Sequence, residues 1–555
     1  MKKTKYQPLA KVNLADRHWL EATIEQSPTW CSIDLREGNQ SLPNLMSIEK
    51  KLIFFEYLVS LGFKQIEVGI PGRFEEDIRF LDVLVNEQLI PNDVTIQVLT
   101  TLKQSDIDLT LDSVKDCSSV IINLFQFTYQ SSRNAIFDME GEQLLQHIVS
   151  HVQYAKQQAE KILQPGQYQF AFSAEGFNAT EPELLLKIYQ SVIELIVPTA
   201  DLPLIVNLVA GVESEMPHHF ADKVEWLVTQ LEHPSSVIFS VQTHNDQGHA
   251  VANSEMALYA GVSRVEGALL GMGERAGACC LVTLALNLYS RGIALDLDFS
   301  NLAQMDAIIE YCSGMTCSPR HPYVGDLVFS TFYSPHQFAI HQAYQSFMQG
   351  GEQNWQIPYL PIDPNDIGRG NDDLIRLNAL SGRTGIAYVM EKRHGYLLPR
   401  GLQDEFCKLV KEQALSLGAE LTAEQVWECF ANHFFKQEKQ IKLTSIQFDK
   451  DEQSNRLICH CDVSYQGKQH QLQSKGNGPL DTIIKALTDN LGLTFDVMDY
   501  HQHSLGHGSR ATAVSYISIS DEQGKSFWGV GVDPDTNLAT LDALFGALNR
   551  QMEKK

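Results

Sequence analysis

The sequence lacks several features that would place the protein in a specialised class. No apolar run reaches the ~18 residues needed to span a membrane, and the lysine-bearing N-terminus has no apolar segment typical of a signal peptide. Basic residues are scarce, since 43 lysines and arginines accompany 68 acidic residues and give a formal charge of -25. This negative field would repel nucleic acid and anionic membranes, so we expect neither as a partner.

The ten cysteines lack the spacing of a disulfide framework or of a zinc site. Cys279 and Cys280 are adjacent, and Cys459 and Cys461 flank His460, so neither pair has the CxxC spacing of zinc ligands. Buried free thiols in a reducing compartment account for this usage, and the sequence therefore predicts a cytoplasmic protein.

The chain is too long for one hydrophobic core and predicts several domains. Eight short β-rich runs alternate with amphipathic helical patterns over about the first 270 residues, the length typical of a (β/α)8 barrel. The runs are Trp30–Ile33, Gln65–Ile70, Val94–Leu99, Ser119–Phe125, Tyr168–Ser173, Leu204–Leu208, Val237–Val241 and Arg264–Leu269. No glycine-rich nucleotide loop follows the first run, which disfavours a doubly wound sheet.

We predict four segments: an N-terminal extension over 1–28, the barrel over 29–320, helical linker subdomains over 321–438 and a C-terminal α+β domain over 439–555. In the last segment, three β-runs followed by a helix occur twice, which predicts two similar βββα halves. A domain of that kind typically binds a small effector or a second subunit, so we expect a regulatory role for it.

Polar and ionisable residues follow the predicted barrel strands at their carboxyl ends, where barrel enzymes carry their active sites. Asp34–Glu37 follows the first run, Glu175 the fifth and 244–246 the seventh, and Asn207 stands at the tip of the sixth. This distribution predicts an enzyme. The seventh run raises a particular question, because a metal-binding strand would carry two histidines two residues apart, and Gln242 occupies the first of those positions.

Several motifs in a fixed order resemble the 2-isopropylmalate synthase family, in its long, leucine-regulated bacterial type, over nearly all 555 residues. The motifs are 30-WCSIDLREGNQSL-42, 169-QFAFSAEGFNATE-181, 244-HNDQGHAVA-252, 271-GMGERAG-277, 319-PRHPYVGDLVFSTFYSPHQFAI-340, 355-WQIPYLPIDPNDIGR-369, 381-SGRTGIAYVM-390 and 526-SFWGVGVD-533. The resemblance implies an acyltransferase that condenses acetyl-CoA with a 2-oxo acid, with 3-methyl-2-oxobutanoate as the first candidate. It also implies a homodimer and leucine as a possible effector.

The resemblance further implies a divalent metal that holds the 2-oxo acid, but the implied ligand positions depart from the family pattern. Glu37 stands for an aspartate, Gln242 for the first histidine and Ala278 for an asparagine, and His244 alone is kept. An amide oxygen suits magnesium or manganese better than zinc, and a longer acid moves its oxygen by about 1 Å, beyond the ~0.2 Å tolerance of ligand bonds. Two alternatives stay open, a modified Mg or Mn site and a lost metal.

By resemblance, the catalytic residues are Arg36, Glu175 and His336, and the substrate-binding residues are Arg36, Asn207, Gly211 and Asn245. Each of three positions also has a simpler interpretation. Glu175 could be a salt-bridged acid at the barrel mouth, His336 a histidine on a helix surface, and Asn245 part of a turn that caps the next helix. Gly211 departs from the family's N-L-P-A-T-V-E, which here reads 207-NLVAGVE-213, and so lacks the expected hydroxyl.

Two classes of function are consistent with these residues. The first is a condensing synthase, with either the usual or a shifted choice of 2-oxo acid. The second is a catalytically impaired relative that keeps the barrel and the effector domain and acts as a regulatory or structural partner of an authentic synthase.

Overall fold

The computed structural model describes residues 9, 11–231, 234–350, 354–370, 375–436, 438–452, 454, 456–506 and 511–553. The chain divides into two compact units. The first contains the residues up to Val328 together with Ile362–Arg369, and the second contains Phe329–Pro361 and the chain from Gly370 onward. The short segment 362–369 thus lies with the first unit although it follows part of the second in sequence.

The first unit is built on a closed barrel of eight parallel strands, in which each strand pairs with its sequence neighbour and the first pairs with the eighth. The strands are β1 Thr29–Ser32, β2 Gln65–Gly69, β3 Thr95–Thr101, β4 Val120–Phe127, β5 Tyr168–Glu175, β6 Leu204–Ala210, β7 Val237–Thr243 and β8 Arg264–Gly267. All eight predicted runs are strands of the barrel, so the predicted fold class is confirmed.

Ten helices accompany these strands in the described part of the first unit. They are α1 Ile48–Ser60, α2 Glu75–Asn86, α3 Gln104–Ser113, α4 Gln130–Phe137, α5 Gly141–Ile162, α6 Pro182–Ile196, α7 Pro217–Gln230, α8 Ala250–Tyr259, α9 Leu281–Ser290 and α10 Leu302–Ser313. α1 shows how sequence sets the bounds. The side chain of Ser47 accepts a hydrogen bond from the Lys50 N–H at its start, and Gly62, with φ +101, follows its end.

The barrel interior is layered because side chains on a strand alternate with a period of two. On β4, β5 and β6, the lowest layer is apolar and consists of Ile121, Ala171 and Ile205. Two residues further along each strand, the layer is polar: Asn123, Ser173 and Asn207, all buried. Two residues further still, Phe125, Glu175 and Val209 line a cavity. The alternation therefore places a polar layer directly beneath the mouth of the barrel.

The described part of the second unit contains four helices and then two three-stranded antiparallel sheets, each followed by a helix. Its elements are α11 Ser334–Met348, α12 Arg383–His394, α13 Arg400–Leu417, α14 Ala423–Phe434, β9 Ile441–Asp451, β10 Arg456–Tyr465, β11 Lys468–Gly476, α15 Pro479–Leu491, β12 Asp496–Leu505, β13 Thr512–Ser520, β14 Ser526–Asp533 and α16 Thr536–Glu553. Both βββα halves are present, and their apolar side chains share one core.

One buried side chain ties the start of β9 to α16. The Asn549 Oδ1 atom accepts from the Ile441 N–H at 2.9 Å, and its Nδ2 donates to the Ile441 carbonyl at 2.8 Å. β9 is the edge strand of its sheet, and this amide imitates the pairing of a further strand on its outer edge, so the backbone of Ile441 is satisfied there.

The ten cysteines are free thiols, eight of them buried, in agreement with the interpretation of their spacing. Among the helices of the described segments, none is long and apolar enough to cross a membrane.

Candidate active site

A cavity of about 650 Å³ opens at the carboxyl end of the barrel strands. The structure brings six of the predicted site residues to this cavity: Arg36, Glu37, Glu175, Gly211, Gln242 and His244. They come from segments that follow or end β1, β5, β6 and β7, which lie far apart in sequence. Their convergence follows from the barrel, because the carboxyl ends of all its parallel strands meet at one rim.

A π-helical turn over Asp34–Gly38 positions the first two of these side chains. π-turns are rare and often occur at functional sites, since they place successive side chains differently from an α-helix. Asp34 anchors the turn: its carboxylate accepts from the Ser32 hydroxyl at 2.8 Å and from the Leu269 N–H at 3.1 Å. Burial raises the pKa of Asp34 to about 7, despite these hydrogen bonds.

Arg36 is held between two carboxylates. Its Nε atom donates to Glu67 Oε2 at 2.5 Å, and its Nη1 donates to Glu37 Oε2. Burial opposes the charge of Arg36, but Glu67 and Glu37 raise its pKa overall. The guanidinium is thus a fixed positive charge at the cavity wall, with its Nη2 edge unbonded among the described residues.

A network of buried charges supports Arg36 from below. Gln97 Nε2 donates at 2.9 Å to both Glu67 Oε1 and Glu266 Oε1, and Arg264 Nη1 donates to Glu266 Oε1 at 2.6 Å. Glu67, Gln97, Arg264 and Glu266 are fully buried. None of the four was predicted from the sequence, although alternation along 65-QIEVG-69 and 264-RVEG-267 points the charged residues inward.

Asn207, predicted to bind substrate, belongs to this buried network. Its Nδ2 donates to Glu266 Oε2 and to the Ser173 hydroxyl, each at 2.9 Å. It is fully buried and is not among the described residues that line the cavity. The Asn207 amide therefore forms its hydrogen bonds inside the barrel in this structure, one layer beneath the mouth.

The residues at the implied metal positions do not form a zinc-type ligand set in this structure. Glu37 Oε2 accepts from Arg36 and from Gln40 Nε2 at 2.9 Å, and Glu37 Oε1 accepts from the Glu274 N–H at 3.3 Å. The methyl side chain of Ala278 has no atom that can coordinate a metal. No group of three His, Cys, Asp or Glu side chains suited to a metal occurs in the described parts of the chain, so the three protein ligands of a typical zinc site are missing there. Glu37 is placed instead as the ion-pair partner of Arg36.

His244 and Gln242 lie in the cavity wall beside Glu37. The His244 Nε2 atom is 3.8 Å from Glu37 Oε1, and the buried Nδ1 has no hydrogen-bond partner among the described residues. Burial lowers the pKa of His244, although Glu37 opposes this effect. Burial therefore favours the neutral imidazole, which can serve as a hydrogen-bond donor or acceptor.

Glu175 is the most strongly perturbed acid that lines the cavity. Burial raises its pKa to about 8, the negative charge of Glu37 adds to the shift, and Arg36 and Arg275 oppose it. At neutral pH most molecules therefore carry Glu175 as a neutral carboxylic acid. A group that titrates near pH 8 can both accept and donate a proton under physiological conditions.

Arg275 also lines the cavity and forms a link to the two preceding strand ends. Its Nε donates to Asp246 Oδ1 at 2.7 Å, and its Nη2 donates to the Gly211 carbonyl. Burial opposes ionisation of Asp246, but Arg275 lowers its pKa overall. Asn245 accepts from the Ala250 N–H at 3.2 Å and so caps α8; it is not among the described residues of the cavity wall. The sequence indicated Arg275 only through the motif 271-GMGERAG-277.

One side of the cavity is apolar and aromatic. The rings of Phe125 and Phe127 pack edge to face with centroids 5.0 Å apart, and Phe137 lies 6.5 Å from Phe127. Leu99, Ile136 and Val209 extend this wall. The cavity therefore combines fixed charges on one side with space for an apolar group on the other.

His336, predicted as part of the general base, lies near the start of α11 in the second unit. Its ring stacks on Tyr359 with centroids 3.9 Å apart and packs edge to face against Tyr333. Its catalytic role stays a prediction.

Comparisons with known proteins place the whole chain in one family. Residues 27–309 match the family model described as HMGL-like, residues 326–391 match "Alpha-isopropylmalate synthase, post-catalytic domain-like", and residues 420–552 match "LeuA allosteric (dimerisation) domain". The chain is 38% identical to the 2-isopropylmalate synthase of Parafrankia sp., over 98% of this chain and 97% of that protein. The corresponding values are 37%, 99% and 99% for the enzyme of Rhodospirillum rubrum, and 36%, 99% and 99% for that of Clostridium acetobutylicum. With relatives of this identity over its full length, the chain belongs to the 2-isopropylmalate synthase family.

Proposed function

We propose that the protein condenses acetyl-CoA with a 2-oxo acid, with 3-methyl-2-oxobutanoate as the first candidate substrate. The observation that carries this proposal is the convergence of Arg36, Arg275 and Glu175 on one cavity at the carboxyl end of the barrel. Two fixed positive charges beside an acid that titrates near neutrality are the combination that an enolate-forming condensation needs.

Each of these residues has a role in the proposed reaction. The ionised form of Glu175 accepts a proton from the acetyl methyl group, and the resulting carbanion equivalent forms a carbon–carbon bond with the ketone carbon of the 2-oxo acid. Arg36 and Arg275 stabilise the negative charge on the carboxylate and on the developing alkoxide. Protonation of the alkoxide and hydrolysis of the thioester then release the product and free CoA thiol.

The proposal is tested by thiol release from acetyl-CoA with a panel of 2-oxo acids, with added Mg²⁺, Mn²⁺ or Zn²⁺ and with a chelator, alongside the metal content of the purified protein. We expect Glu175→Gln to lower kcat by on the order of 10²-fold or more, because general acid–base catalysis contributes about that much. The exposed Glu56→Gln is the matched control. The proposal fails if no 2-oxo acid gives turnover under any of these conditions.

A second candidate function is a catalytically impaired relative that acts as a regulatory or structural partner of an active synthase. The ion pair between Glu37 and Arg36, and the poor fit of the implied ligand set, favour it. The combined change Glu37→Asp, Gln242→His and Ala278→Asn tests it. If metal binding and turnover appear only in that variant, the natural chain is the impaired form.

A synthase with a shifted 2-oxo acid is a variant of the first proposal, and the aromatic wall of Phe125, Phe127 and Phe137 favours it. Comparing kcat/KM for 2-oxo acids with side chains from methyl to benzyl measures this shift. A maximum at the isopropyl side chain would argue against it.

We further propose that the C-terminal domain, matched over residues 420–552, mediates dimerisation and responds to an effector such as leucine. Sedimentation of the purified chain, with and without leucine, and leucine titration of the activity test these two properties separately.

A further inference from the structure

The carboxylate of Glu175 lies over Gly211, in space that any other residue would fill. An ideal Cβ added to Gly211 would overlap the Glu175 Oε1 atom and would lie 2.5 Å from its Cδ. The backbone of Gly211 is outside the left-handed region, so an alanine could adopt its conformation. The effect of a side chain at position 211 would therefore be steric rather than conformational, and the group that it would meet is the terminal carboxylate of Glu175.

The backbone of Gly211 is held from its carbonyl side, so it cannot easily move away from Glu175. Arg275 Nη2 donates to the Gly211 carbonyl, and the same guanidinium is paired with Asp246. Asp246 Oδ2 in turn accepts from the Glu213 N–H at 3.0 Å, two residues beyond Gly211. A side chain at position 211 would consequently displace the carboxylate of Glu175 and leave the turn in place.

We propose that Gly211 is a positioning residue: the absence of its side chain gives the carboxylate of Glu175 its place inside the cavity. This inference rests on the proposed function insofar as Glu175 is the proposed base, but the steric relation between the two residues stands by itself. The charged groups that act on Glu175 at this place are Glu37, Arg36 and Arg275.

Kinetics in a double-mutant cycle test the proposal. In the natural background we expect Gly211→Ala to lower kcat/KM by on the order of 10²-fold, the typical effect of displacing a reacting group by about 1 Å. We also expect the acidic limb of the pH profile to shift from about 8. In the Glu175→Ala background, the same change should lower the residual rate less than twofold, because no carboxylate remains to be displaced. Equal losses in the two backgrounds would overturn the proposal.

Folding measurements keep the test independent of turnover. Removal of the Glu175 side chain relieves the overlap, so a Gly211→Ala chain that unfolds and is rescued by Glu175→Ala supports the proposal. Gly478→Ala is the control, since a Cβ there meets nothing within 4 Å.

If no substrate gives turnover, the proposed function fails, and the pH dependence of unfolding still decides the positioning role. Glu175→Gln should remove the contribution of this carboxyl to the pH dependence of unfolding, and Gly211→Ala should reduce the same contribution. An unchanged dependence would show that the carboxylate has not moved and would overturn the inference.

Discussion

Replacing Glu175 by glutamine should make the stability of the protein less dependent on pH. Burial raises the pKa of this carboxyl from its ordinary value of 4.5 to about 8. Between these values the folded chain keeps a proton that the unfolded chain releases. Stability from this group is therefore fully present below pH 4.5 and is lost as the pH rises through 8.

The magnitude follows from the size of the shift. One pKa unit corresponds to about 1.4 kcal/mol. Between pH 4.5 and pH 7 the unfolded chain ionises this carboxyl and the folded chain does not, so the free energy of unfolding falls by about 3 kcal/mol. Glutamine has nearly the same shape and does not titrate, so Glu175→Gln removes this loss. We expect the free energy of unfolding of the variant to rise progressively relative to that of the natural protein from pH 5 to pH 8.

The assay is the difference in unfolding midpoint between Glu175→Gln and the natural chain, measured in denaturant at several pH values. Asp34, whose pKa burial raises to about 7, contributes equally to both proteins and cancels in the difference. Glu56→Gln, at an exposed position, controls for the loss of one carboxylate. A midpoint difference that stays constant from pH 5 to pH 8 would refute the reasoning.

Three further changes probe interactions that support the fold. Arg264→Met leaves the buried carboxylate of Glu266 unpaired and should lower the free energy of unfolding by about 3–5 kcal/mol; a loss below 1 kcal/mol in denaturant titration would contradict this. Tyr189→Phe removes a buried hydrogen bond of 2.8 Å to a carbonyl of β6 and should cost about 1 kcal/mol, again by denaturant titration. Asn549→Ala removes the hydrogen-bond partner of the Ile441 N–H and C=O and should lower the free energy of unfolding by about 2–3 kcal/mol. Hydrogen exchange at the Ile441 amide should then become faster, and unchanged protection would refute this assignment.

The sequence predicted the barrel and the convergence at its mouth for one physical reason. A repeating strand–helix pattern fixes the strand order, and the strand order brings the segments after each strand to one rim. Arg36, Glu175 and His244 therefore could be assigned to one cavity before any distance was known.

The partners of those side chains could not be predicted in the same way. Whether Glu37 is a metal ligand or the partner of Arg36 depends on the position of its carboxylate, which bonds Arg36 on the same turn and lies 3.8 Å from His244 after β7. The depth of Asn207 depends on the register of β6 against β5, which sets it opposite the buried Ser173 and sets Val209 opposite Glu175 at the mouth. The overlap of Glu175 with the space above Gly211 involves two adjacent strand ends, and no local pattern in either segment indicates it.

The buried network beneath the cavity limits how this pocket can be redesigned. Glu67 accepts from Arg36 at the mouth and from Gln97 in the interior, so a change intended only to improve the barrel core would also reorient the guanidinium that lines the cavity. Libraries aimed at new substrates should hold this network constant and diversify the aromatic wall, where Phe127 and Phe137 contribute volume without charge.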